Sequence, residues 1–307
     1  EIGVRLVGSE MCIRDSCNSG AEANEAAIKL ARKATGKQGI ITFQQSFHGR
    51  TFGAMAATGQ DKIKEGFGDG VPHFSYAVYN DLASVEKLVN QDTAAVMLEL
   101  VQGESGVRPA EAAFVKNLAD FCQREGILLI VDEVQTGMGR TGQLYSFEYY
   151  GIIPDIVTLA KGLANGLPSG ALLGKSSLAP AFGPGSHGST FGGNKLAMAA
   201  ALETLHIMKE AGFMEEVRSK SAILLEQLQF AFQDHPKISA VRGLGMMIGI
   251  ETSASLSKIV EAARQKGLII LTAGENVIRL LPPLTINREE IQQGIAILKE
   301  VFSELDE

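Results

Sequence analysis

Five short runs that are apolar almost from end to end constrain this chain most. They are GIITF (39–43), AAVMLEL (94–100), ILLIVDEV (127–134), DIVTLA (155–160) and GALLG (170–174). A strand with one face in water alternates apolar and polar residues, whereas an unbroken apolar run needs cover on both faces. Helical stretches such as DKIKEGF (61–67) and EAAFVKNLADFCQREG (111–126) lie between these runs. The alternation predicts an α/β unit built on a mostly parallel sheet. In such sheets ligands gather at the carboxyl ends of the strands.

The segment SGAEANEAAIKLARKATGK predicts a helix with both ends marked. Ser19 is the N-cap candidate, acids occupy the first turn, and basic residues precede Gly36. After HGSTFGGN (187–194) the pattern changes. Helices are expected near 194–211 and 213–234, then a glycine-punctuated strand pair in ISAVRGLGMMIGIE. A helix near 255–266, strands LIILT and NVIRLL, and a terminal helix from Arg288 complete the chain. We therefore expect a large α/β domain over 17–205, then linking helices and a smaller α+β domain over 206–307. Residues 1–16 are expected to form a leader with no targeting pattern, foreign to the rest of the chain.

Composition narrows the partners. The 307 residues carry a net charge of −7 with no basic tract, which argues against nucleic acid. No apolar run approaches the roughly 20 residues needed to span a bilayer. Cys12, Cys17 and Cys122 make no CxxC and no evident disulfide set, which fits a reducing cytoplasm. Their plain reading is as small buried hydrophobes.

Two nucleotide-binding patterns fail on context. GMGRTG (137–142) matches GxGxxG, but QLYSFEYYG comes after it in place of a clear helix. GKSS (174–177) would need a glycine five residues before its GK, and Ser169 stands there. A P-loop ATPase is the weaker alternative for that reason.

Three other features converge. Lys161 ends an apolar strand, where desolvation lowers an amine's pKa and makes it a nucleophile; the plain alternative is a lysine snorkelling to the surface. Asp132 closes another apolar strand, and a carboxylate there needs a cation, such as a protonated pyridine nitrogen. NSGAEANE offers unpaired amides at a helix start, a seat for a phosphate. Together they describe pyridoxal phosphate.

At this point CNSGAEANEAAIKLAR, SFHGRT, VQGESGV, DEVQTGMGRTG, TLAKGL, HGSTFGGN and IRLLPPL, in that order from Cys17 onward, resemble the class III (subgroup II) pyridoxal-phosphate-dependent aminotransferases. The resemblance implies fold type I and a homodimer with a shared active site. It implies that Lys161 bonds the cofactor aldehyde and later shuttles the proton, while Asp132 pairs with the ring nitrogen. By the same resemblance Val134 and Phe47 sandwich the ring, and Gln135 reaches its phenolic oxygen. Ser19, Gly20 and Ala21 hold the phosphate, and Thr190 completes that cup from the neighbouring subunit.

For substrates, the resemblance implies transfer of the δ-amino group of N-acetylornithine to 2-oxoglutarate. Ornithine, succinylornithine and 4-aminobutyrate are the alternative donors. Arg50 is the candidate clamp for the distal carboxylate, and Ser189, beside Thr190, is implied to touch the substrate. Arg279 is the candidate for the carboxylate next to the reacting carbon of glutamate, with Glu104 masking it when the donor lacks one. The plain alternative for that last pair is a buried salt bridge. Two departures stand out. Lys195 replaces the proline usual after GGN, which puts little in doubt. The substantial N-terminal segment of the family is expected to be missing here, which raises the alternative of a non-catalytic fragment.

Overall fold

The apolar runs become the inner strands of one sheet. A computed structural model describes residues 11–305. Strand β1 (Met11–Cys17) leads into α1 (Gly20–Thr35), then β2 (Gly39–Phe43), α2 (Phe52–Ala57), α3 (Asp61–Lys64), β3 (Phe74–Ala77) and α4 (Leu82–Leu88). Next come β4 (Thr93–Leu98), β5 (Val101–Gln102), β6 (Arg108–Pro109), α5 (Ala112–Glu125), β7 (Leu128–Asp132), α6 (Ser146–Tyr150), β8 (Ile156–Leu159) and β9 (Gly170–Lys175). The remainder comprises α7 (Lys195–Met208), α8 (Phe213–Phe232), β10 (Ile238–Leu244), β11 (Met247–Thr252), α9 (Leu256–Gln265), β12 (Leu271–Ala273), β13 (Val277–Leu280) and α10 (Arg288–Glu304).

The large sheet runs β1-β9-β8-β7-β4-β2-β3. The five strands from β8 to β3 are parallel, while β9 is antiparallel to both β8 and β1. Every residue of β4 is buried, because the sheet is covered twice. Ala95 and Met97 face Ala26, Ala27 and Leu30 of α1 in one cluster. Val96 and Leu98 join Phe114 and Leu118 of α5 in the other. The alanines on α1 let it lie close to the sheet, and Ser19 caps it by accepting from Glu22 N at 3.2 Å. Gly36, at φ 70°, ends it in the left-handed region that glycine tolerates.

A second core surrounds the antiparallel sheet β10-β11-β13-β12, with α8, α9 and α10 packed on it. Some elements are shorter than their sequence suggests. The helix at DKIKEGF is a single turn, because Gly66 and Gly68 lie just past it at positive φ. The strand in LIILT starts only at Leu271, because Leu268 N still caps α9 through Ala263 O. Among the described residues no helix is long and apolar enough to cross a membrane.

Candidate active site

Strands β4, β7 and β8 end side by side, and Glu99, Asp132 and Lys161 stand at or just past those ends. Because β9 reverses and β1 reverses again, Cys17 also ends at this edge, opposite Gly170. Helix α1 therefore begins at the same edge. Glu99, Asp132 and Lys161 line a cavity of about 570 Å³ with Gly20, Ala21, Phe47, Arg50, Val134 and Gln135. That size suits a cofactor-sized ligand.

Lys161 opens onto this cavity and is exposed to it. Its φ of 45° is uncommon for a non-glycine residue and turns the chain sharply out of β8 into a 3-10 turn. The protein around it holds its amine below the ordinary lysine pKa by desolvation. The charges of Asp132, Glu104 and Glu99 oppose that shift and do not cancel it.

Asp132 is buried and its oxygens are fixed. Oδ2 accepts from Asn24 Nδ2 at 2.8 Å and from His48 Nδ1 at 2.7 Å; Oδ1 accepts from Val134 N at 3.0 Å. Asn24 is held in turn by Thr158 Oγ1 at 2.7 Å. Val134 lies against the start of α1, where a Cβ on Gly20 would stand 2.6 Å from Val134 Cγ1. The first amides of α1, at Gly20 and Ala21, have no intrahelical acceptor.

The loop bearing Phe47 and Arg50 is pinned at both ends. Glu99 accepts from Phe47 N at 2.8 Å. Glu25 of α1 accepts from Gly53 N at 2.9 Å, Ala54 N at 3.0 Å and Thr51 Oγ1 at 2.5 Å. Arg50 sits over the Phe47 ring, 5.7 Å from its centroid, with its exposed guanidinium at the cavity. Burial pushes the Glu99 carboxyl up to about 7.

Arg279, on β13, is buried behind the cavity wall. Its Nη1 donates to Glu104 Oε1 at 2.7 Å, Gly103 O at 3.0 Å and Gln135 Oε1 at 3.4 Å. Burial works against the Glu104 carboxylate, but the Arg279 hydrogen bond and charge hold it below its usual pKa. Gln135 Nε2 donates to the same Glu104 oxygen at 3.3 Å. A Cβ on Gly103 would meet the Gln135 amide and the Met247 methyl, so a larger residue there would displace Gln135.

Ser189 and Thr190 lie outside this cavity. They line a neighbouring hollow with Cys17, Glu22 and Phe191, and Asn18 borders both spaces. Ser189 Oγ accepts from Asn18 Nδ2 at 2.9 Å, while Thr190 is exposed. His48, Asn24 and Glu99 are the site residues that sequence reasoning missed. Each sat inside a quoted motif or strand, but none has a role until the elements are brought together. GKSS forms the end of β9 and the turn after it, with Lys175 paired to Asp155 at 2.8 Å, and makes no phosphate loop. GMGRTG forms turns ahead of the five-residue α6, so it opens no dinucleotide-binding helix.

The profile of the family described as "Aminotransferase class-III" matches residues 4–302, and so takes in part of the run expected to be a foreign leader. An acetylornithine aminotransferase of Streptococcus mutans is 66% identical over 304 residues, covering 99% of this chain and 80% of that protein. One from Listeria monocytogenes is 58% identical over 286 residues, covering 93% of this chain and 74% of that one. Among solved structures, the ornithine aminotransferase of Toxoplasma gondii, described with partial occupancy of PLP at its active site, superposes with a TM-score of 0.92. It is 30% identical and covers 96% of this chain and 74% of that one. An aminotransferase of Bacillus anthracis has the same TM-score and identity, over 99% of this chain and 78% of its own. With Lys161, Asp132 and the α1 terminus meeting at one sheet edge and these matches spanning the whole fold, the chain belongs to the class-III aminotransferases.

Proposed function

We propose that the chain is a pyridoxal-phosphate-dependent transaminase that moves the δ-amino group of N-acetylornithine to 2-oxoglutarate. The observation that carries this reading is the arrangement of one cavity. It joins an amine of lowered pKa, a doubly anchored carboxylate and a helix N-terminus, with Arg50 at one side and, at the other, Glu104 paired to Arg279 behind the wall. The relatives named acetylornithine aminotransferase supply the donor.

The residues fit the cofactor. Asp132 is a buried carboxylate whose two oxygens are held by neutral or imidazole donors, so it faces the cavity without a lysine or arginine partner. A protonated ring nitrogen would supply a cation on the cavity side, with His48 behind the carboxylate. The Gly20 and Ala21 amides, free at the start of α1, would hold a dianionic phosphate. Bound there, pyridoxal phosphate would act as the electron sink for cleavage of a C–H bond next to the reacting amine.

The chain's own groups do the rest. Lys161 Nζ, at the cavity with its pKa lowered by desolvation, takes and returns the proton at the reacting carbon. Val134, Phe47 and Gln135 line the cavity, where the first two would hold a flat ring and Gln135 would donate to its oxygen substituent. Arg50 takes the carboxylate far from the reacting carbon. Glu104 keeps Arg279 neutralised while N-acetylornithine occupies the site, and swings aside when glutamate presents a carboxylate to it. Thr190, exposed and outside its own cavity, completes the phosphate cup of a second subunit in a homodimer.

Purified protein loaded with the cofactor should show visible absorbance that borohydride removes, and Lys161→Ala should lack it. Retention of the band by Lys161→Ala would contradict the assignment.

A further inference from the structure

We infer that Arg140 is a positioning residue for Arg279, locking β13, which carries Arg279, and its neighbour β11 against the loop that carries Gln135. This rests on the proposed function, in which Arg279 takes the carboxylate beside the reacting carbon. Arg140 Nη1 donates to Pro282 O at 2.5 Å and to Met246 O at 3.2 Å, and Arg140 O accepts from Met246 N at 2.9 Å. Met246 stands just before β11 and Pro282 just past β13. Those strands are antiparallel, with Ile248 opposite Leu280 and Gly249 opposite Arg279. A single guanidinium nitrogen thus bridges both strands at the same end of their ladder, close to Arg279.

The neighbouring backbones touch at this point. Gly245 has a φ of 61°, and a Cβ there would fall 2.5 Å from Thr141 Cα and 2.6 Å from Arg140 O. Among the described residues Arg140 has no carboxylate partner. Its acceptors are main-chain carbonyls, so its bonds fix the position of backbone and do not neutralise a side chain. On the other flank, Arg279 Nη1 converges on Gly103 O, Glu104 and Gln135, while its Nε is buried without a partner. Gln135 and Arg140 belong to one loop, which therefore holds β13 at the Arg279 side chain and at Pro282. A fork that must meet a carboxylate bidentately tolerates little displacement of its strand.

The test uses Arg140→Met and Arg140→Lys in cofactor-loaded protein. Loss of the two donated bonds is expected to weaken 2-oxoglutarate binding, measured by titration calorimetry, by about tenfold. KM for glutamate should rise by a similar factor, while KM for N-acetylornithine, which offers Arg279 nothing, shifts less than about twofold. Arg140→Lys, retaining a donor, should recover part of the loss, and it carries the test if Arg140→Met does not fold. Equal weakening for both amino donors, or no change for either, overturns the inference. Arg279→Met is the control. If it penalises glutamate selectively and the Arg140 variants do not, the inference alone fails. If it shows no such selectivity, the role given to Arg279 fails and the inference with it.

Discussion

His48 Nδ1 and Asp132 Oδ2 meet at 2.7 Å, with side chains 0% and 4% exposed. The imidazole donates, the carboxylate accepts, and the direction in which Asp132 faces the cavity is set from behind. Burial opposes a charge on His48, but the hydrogen bond and charge of Asp132 prevail and raise its pKa above the ordinary 6.5. The folded state therefore favours the protonated ring. The pair's contribution to stability is full below about pH 6.5 and is lost as pH rises through the raised value. Thermal melts of the parent and His48→Leu at several pH values should show a gap that narrows as the pH increases. Activity of His48→Leu is expected to fall on the order of tenfold, because one charge-assisted bond to Asp132 is gone. A gap that widens with pH would contradict the assignment.

Glu133 presents the opposite chemistry one residue on. Its carboxyl accepts from Thr136 Oγ1 at 2.5 Å, Ser146 Oγ at 2.7 Å and Phe147 N at 3.0 Å, yet burial without a cation pushes it up to about 7. The folded state keeps a proton that the unfolded chain releases near 4.5, so stability declines as pH rises between those values. Glu133→Gln removes that decline. Its melting temperature relative to the parent should climb from pH 4.5 to 7 and then level off. A flat difference across that window would show that Glu133 is ionised throughout.

Glu104 and Arg279 make a prediction about selectivity. Glu104→Ala leaves Arg279 uncovered at the cavity wall. Affinity for glutamate should rise and affinity for N-acetylornithine fall, each by a factor of about ten, the scale of one charge-assisted hydrogen bond. KM values for the two donors decide it, and a parallel change in both would reduce the pair to a structural salt bridge.

Leu30 tests the packing that places α1. It is fully buried against the sheet, in the cluster with Ile40, Met97 and Ile130. Leu30→Ala should destabilise the fold by about 2–5 kcal/mol in denaturant unfolding. A loss well under 1 kcal/mol would mean that this face collapses freely around the gap.

Much of the fold and the site is legible in the sequence, for identifiable reasons. The runs ending at Asp132 and Lys161 advertise buried strands, and a charge at the end of such a run already implies a use. The capped start of α1 is equally plain, because Ser19 and Gly36 act locally. The hidden part depends on contacts across the fold. An apolar run such as GALLG carries no record of direction, so the reversal of β9 is invisible. His48 and Asn24 reach Asp132 from 84 and 108 residues away, and Arg140 reaches its carbonyls across 106 and 142. No spacing rule encodes such partners. Thr190 lies in a different hollow from the residues it was grouped with, and no spacing along the chain distinguishes the two.

The central claim is the reaction itself, and a donor panel with 2-oxoglutarate as acceptor tests it most directly. With cofactor-loaded protein, glutamate should form with N-acetylornithine giving the highest kcat/KM, ahead of ornithine, succinylornithine and 4-aminobutyrate. Any of those three exceeding it, or no glutamate from any donor despite a bound cofactor, would contradict the account.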